Sequence, residues 1–107
     1  MTVPHLFRAE RTATGQTDAF KPAGPGTQVT AQALVTGSGA VSATVKLQGT
    51  NTPSLSASWV DLATLEPSGT NAGVATATVA TSLTAYRFDA TAISGSSARA
   101  TMSLARG

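Results

Sequence analysis

Ala85-Tyr86-Arg87-Phe88-Asp89-Ala90-Thr91-Ala92, followed by Ser94-Gly95-Ser96-Ser97 and then Ala98-Arg99-Ala100-Thr101-Met102-Ser103-Leu104-Ala105, is the stretch whose reading decides the fold. Tyr86, Phe88, Ala90 and Ala92 fall on one face and Arg87, Asp89 and Thr91 on the other, the period of two that a half-buried strand imposes. The Ser/Gly segment has turn chemistry. Beyond it, Ala98, Ala100, Met102 and Leu104 alternate with Arg99, Thr101, Ser103 and Ala105. The pattern predicts two strands closed by a tight turn, both presenting their apolar face to one core.

The same grammar recurs upstream. Val29, Ala31, Ala33 and Val35 alternate with polar or smaller partners, Gly37-Ser38-Gly39 reads as a turn, and Val41, Ala43, Val45 and Leu47 alternate with Ser42, Thr44, Lys46 and Gln48. A second hairpin is expected there. Gly49-Thr50-Asn51-Thr52-Pro53-Ser54 is turn chemistry before a short strand over residues 58–65, and Glu66-Pro67-Ser68-Gly69-Thr70-Asn71 closes that strand. Residues 73–81 are small and β-branched, which suits one more strand. Short strands separated by turns about every ten residues predict an all-β chain, an antiparallel β-sandwich or jelly roll of about six to eight strands.

A length of 107 residues allows one domain. Its division is expected near Lys21-Pro22-Ala23-Gly24-Pro25-Gly26, which can continue neither a helix nor a central strand. Residues 1–26 are accordingly read as an extended N-terminal arm with its linker, the arm carrying one strand around residues 6–12, and residues 27–107 as the sandwich. Ala and Val fill much of the core-facing pattern, so packing must lean on the large residues Trp59, Leu62, Tyr86, Phe88, Met102 and Leu104.

Composition narrows function by subtraction. Charged residues make up 11% of the chain, while Ala, Thr and Ser together form nearly half of it. A net charge of +2, with Arg8, Lys21, Lys46, Arg87, Arg99 and Arg106 scattered along the sequence, is a thin field for phosphates, so no nucleic-acid partner is expected. No apolar run approaches the roughly 20 residues of a membrane span, and residues 1–10 lack the apolar core of a secretory signal, so the reading is a protein made in the cytoplasm with no membrane partner. Cys is absent and His5 is the lone imidazole. With five scattered carboxylates, neither a metal shell nor a Ser/His/Asp set has recognisable spacing. No enzyme activity and no cofactor are expected.

Two clusters merit weighing. Trp59, with Asn51 upstream and Asp61 beside it, has the elements of a sugar-binding face, although its place in an apolar strand favours the core. Arg87 and Asp89 share a polar strand face and are expected to reach Arg99 on the next strand of the hairpin.

Val45-Lys46-Leu47-Gln48-Gly49-Thr50-Asn51, then Trp59-Val60-Asp61-Leu62-Ala63-Thr64-Leu65, then Tyr86-Arg87-Phe88-Asp89-Ala90-Thr91-Ala92-Ile93-Ser94-Gly95 resembles a β-sandwich type found among small structural proteins of tailed bacteriophages. The resemblance spans residues 41–104. It implies a virion protein of the capsid decoration or cement type, made in the host bacterium and placed on the shell surface. Its partners would be the major capsid protein and further copies of itself, as a dimer or trimer. Leu6, Phe7, Arg8, Arg11 and Phe20 of the arm, with Asn51 and Pro53 of the loop, are the expected partner-binding residues. The alternatives are a carbohydrate-binding module of an adsorption apparatus, with a glycan as partner, or a small tail or neck subunit.

Overall fold

A computed structural model describes residues 5–20, 28–52, 54–80 and 83–106. Among them the chain forms six strands: β1 (His5–Arg11), β2 (Gly15–Gln16), β3 (Val29–Thr50), β4 (Val60–Leu65), β5 (Ser68–Val79) and β6 (Ala85–Arg106), with a single 3₁₀ turn at Ser56–Ser58. Every pairing is antiparallel, and the protein is an all-β sandwich.

Neither expected hairpin exists. In place of two hairpins, β3 and β6 run 22 residues each and pair with one another from Val29↔Arg106 through Thr36↔Arg99 and on to Thr50↔Ala85. Straight strands of that length would span roughly 70 Å at about 3.3 Å per residue. The molecule measures 40 × 37 × 17 Å, so both strands must fold over near their middle. Gly37-Ser38-Gly39 and Ser94-Gly95-Ser96-Ser97 mark that corner: the register slips between Thr36 and Ser42 of β3, where Ser38 pairs with Ser96 and Ser42 with Ser94. Bulged corners of this kind let a strand pass from one sheet to the other.

The corner is crowded on its inner side. Gly95 has φ +124°, and a Cβ there would lie 2.8 Å from the Ala40 carbonyl oxygen. Asn71 of β5 takes a left-handed conformation (φ 66°) and accepts the Gly39 N–H through Oδ1 at 2.8 Å, fastening the neighbouring strand to the bend.

Folding over creates two layers from one sheet. In the first, β1, the second half of β6, the first half of β3 and β5 lie side by side; in the second, β2, the first half of β6, the second half of β3 and β4 do so. Val29, Ala31, Ala33 and Val35 face inward beside Ala98, Ala100, Met102 and Leu104 in the first layer. Val45, Leu47, Leu65, Tyr86, Phe88 and Ala90 do so in the second, and all belong to one buried cluster.

The segment read as an arm is part of the sheet. β1 pairs along its whole length with β6, from His5↔Arg106 to Arg11↔Ala100, and residues 15–16 and Phe20 continue along the other half of β6. A strand with Phe7 and Ala9 on one face has somewhere to bury them once β6 offers Leu104 and Met102 opposite. The Pro/Gly linker at residues 21–26 lies outside the described residues.

Candidate functional site

Of the residues expected to bind partners, most are engaged within the chain. Leu6 pairs through its backbone with Ala105. Phe7 and Phe20 stack on each other with ring centroids 4.7 Å apart, and both pack against the core. Arg11 donates from Nε to the Ala13 carbonyl at 3.0 Å, from Nη2 to Thr14 at 3.3 Å and from Nη1 to Gln16 at 3.2 Å, so its guanidinium closes the turn between β1 and β2. Arg8 bonds Glu10 at 3.1 Å and is exposed. Asn51 accepts the Thr84 N–H at 3.1 Å, tying the loop after β3 to the start of β6. Pro53 lies outside the described residues.

Of the expected core residues, Tyr86, Phe88, Met102 and Leu104 are buried, and Leu62 is partly buried against them. Trp59 is half-buried and stands outside the core cluster, contrary to the reading that placed it inside. A β-bulge is the reason. Leu47 pairs with Ala63 but the next residue, Gln48, pairs with Asp61, which leaves Leu62 as an extra residue in β4. Counting back by twos from inward Leu65 and Ala63 would bury Asp61 and Trp59; the bulge reverses the alternation and turns both outward.

On that outer face a connected set of side chains assembles. The Arg87 guanidinium carbon lies 4.2 Å from the centre of the Trp59 ring. Arg87 Nε donates to Gln48 Oε1 at 2.8 Å, Gln48 Nε2 donates to Asp61 Oδ1 at 2.9 Å, and Lys46 Nζ donates to Asp61 Oδ2 at 3.3 Å. The bonds from Gln48 and Lys46 hold the Asp61 carboxyl below its ordinary value, because both stabilise the charged form. Arg99 plays no part in this set. It belongs to the other half of β6, where its Nη1 lies 3.8 Å from Glu10 Oε2.

A concavity of about 530 Å³, open to solvent, lies at the corner, lined by Thr12, Thr36, Ile93, Ser97 and Arg99. Its polar groups are hydroxyls, backbone and one guanidinium. Among the described residues no three His, Cys, Asp or Glu side chains come together as a metal shell would require.

The fold has phage-derived counterparts. A crystal structure of the PBSX exported protein XepA matches 98% of this chain at 13% identity with TM-score 0.59, this chain spanning 37% of its length. A crystal structure of the SPBc2 prophage-derived protein YomS matches 100% of the chain, covers 97% of its own length and has TM-score 0.54, again at 13% identity. At that identity the likeness establishes the fold. No protein-family model matches the sequence, and no curated protein does so.

Trp59, Asn51 and Asp61 were the site residues weighed from sequence, and the structure brings Asp61 and Trp59 together while committing the Asn51 carbonyl to the Thr84 backbone. Lys46, Gln48 and Arg87 were missed as members. Lys46 and Gln48 showed their shared polar face in the alternation with Val45 and Leu47, but their partners depend on strand register, which composition does not carry.

Proposed function

We propose that this protein is a structural component of a phage particle, acting through surfaces and not through catalysis, and that its place is the outer surface of the capsid as a decoration or cement protein. The observation that carries the reading is the fold shared over nearly the whole chain with two phage-derived proteins, one of them matched over 97% of its own length. Shape supports it. A plate 17 Å thick with faces about 40 × 37 Å presents broad surfaces suited to lying on a repetitive shell. The charge pattern also fits a contact of this kind, because few charged groups need to be desolvated when such a face is covered.

Attachment in this reading is made by folded faces and loops, not by a free arm, since residues 5–11 are consumed in pairing with β6. Copies gain from mutual contact on a lattice, where each additional contact forms at high effective concentration. Co-sedimentation with capsids stripped of accessory proteins tests this. Saturable binding at a fixed ratio to the major shell protein supports decoration, and absence of binding at both low and high salt rejects it.

A further inference from the structure

We propose that the outer face of the second layer is a binding site for a neutral saccharide, with Trp59 as the stacking platform and Asp61, Lys46 and Arg87 as the groups that engage hydroxyls at its rim. This reading does not depend on where in a particle the protein sits.

A lone Trp in a chain with so few large residues belongs in the core on grounds of burial, yet the Leu62 bulge holds it on the outer face. The guanidinium at 4.2 Å covers one side of the indole, and the half-buried residue keeps part of its surface in solvent.

The set is also held in place before any ligand arrives. Each support is held by the next: Arg87 by Gln48, Gln48 by Asp61, Asp61 by Lys46. Side chains ordered before binding lose little rotamer freedom on binding, which is where weak surface sites otherwise fail.

A pyranose offers an apolar C–H face for an aromatic ring and a rim of hydroxyls for planar carboxylates, guanidinium groups and ammonium donors. Among the described residues Lys46 makes one of its three possible bonds and Arg87 one of its five, so donors remain beside the ring. Lys46 and Arg87 are balanced by Asp61 and by Asp89, which pairs with Lys46 in register, and that neutrality selects an uncharged sugar over a polyanion. A protein partner would want a contiguous apolar surround. Val60 lies on the opposite face of β4, opposite inward Gly49, and Val74 on β5, although exposed Leu55 in the preceding loop would offer such a partner a second anchor.

Trp59 is the sole tryptophan, so its emission reports on the site in the full-length chain. The experiment titrates the protein with maltohexaose, cellohexaose, chitohexaose and a galacto-oligosaccharide, and repeats it by saturation-transfer NMR on Trp59→Ala, Trp59→Phe and Asp61→Asn. The expected result is a saturable emission change with at least one of the four. Trp59→Ala should weaken that binding about tenfold and each of the other two about threefold, with the urea midpoint of the last two lowered only slightly. Should Trp59→Ala fail to fold, the two milder variants carry the test. No response from any of the four sugars up to about 10 mM overturns the site, as does undiminished binding by Asp61→Asn and Trp59→Phe. Loss of a self-assembled oligomer in Trp59→Ala, without sugar binding by the parent, assigns the patch to a protein contact and overturns it equally.

Discussion

Phe7 and Phe88 stack with ring centroids 6.4 Å apart and planes 10° from parallel, although the backbone of Phe7 is paired with Leu104 at the far end of the strand that carries Phe88. The contact therefore joins the two halves of β6 across the interior. With Phe20, which bonds Tyr86 through both backbone groups and stacks on Phe7, it closes the side of the sandwich where β1 and β2 form the edge.

Removing that closure should be expensive. Phe7→Ala is expected to lower stability by about 2–4 kcal/mol in urea titration, as for other large-to-small changes against a core. Deleting residues 1–20 should abolish cooperative unfolding altogether, because it strips an edge strand from both layers and bares Phe88, Met102 and Leu104. A truncated protein that still unfolds cooperatively would show that the edge is dispensable.

Gly95 and Gly39 separate crowding from backbone strain. Both have positive φ, but a Cβ at Gly95 would strike the Ala40 carbonyl whereas one at Gly39 meets nothing within 4 Å. Gly39→Ala should cost about 1–2 kcal/mol, the penalty of a left-handed residue. Gly95→Ala should cost clearly more, by a further 1–3 kcal/mol of overpacking. Thermal melts of the two variants check this, and equal losses would mean that the corner has room.

Arg87→Leu keeps an aliphatic stem near Trp59 and removes the cation. Its expected effect is small, about 0.5–1 kcal/mol, the size expected for a cation–π pair at a surface, together with a change in Trp59 emission. Arg87→Lys should recover part of the energy but not the Gln48 bond geometry, since an ammonium lacks the planar fork.

The depressed Asp61 carboxyl sets a pH window. A group whose folded value lies below its unfolded one contributes stability above the ordinary value of 3.8, and that contribution is lost as pH falls through the folded value. Trp59 emission should therefore stay flat from neutral pH down to the ordinary carboxylate range and change only in more acid solution. In Asp61→Asn that acid transition should be absent; its persistence would place the titrating group elsewhere.

How far the sequence could be read differs between the core and the site. The inward residues of each half-strand, Val29 to Val35, Val45 and Leu47, Tyr86 and Phe88, Ala98 to Leu104, follow from alternation, which the extended backbone imposes on any strand. Where alternation slips, the reading fails. Thr91 is skipped between Thr44↔Ala92 and Val45↔Ala90, so Ala92 is exposed and Ile93 turns toward the core, the reverse of what the period of two implies. Leu62 does the same for Trp59 and Asp61.

The sequence by itself determined an all-β chain, one core, and the apolar face of each strand segment, because those depend on local backbone geometry and on side-chain polarity. Only the tertiary structure decided that Ser94-Gly95-Ser96-Ser97 is a corner and not a hairpin turn, since glycine and serine suit both and the choice rests on whether residues 85–92 pair with residues 98–105 or with β3, far away in sequence. It decided likewise that the strand expected around residues 6–12 is built into the sheet and does not extend away from it, because an edge strand gains its hydrogen bonds and its burial only from a partner that arrives nearly a hundred residues later.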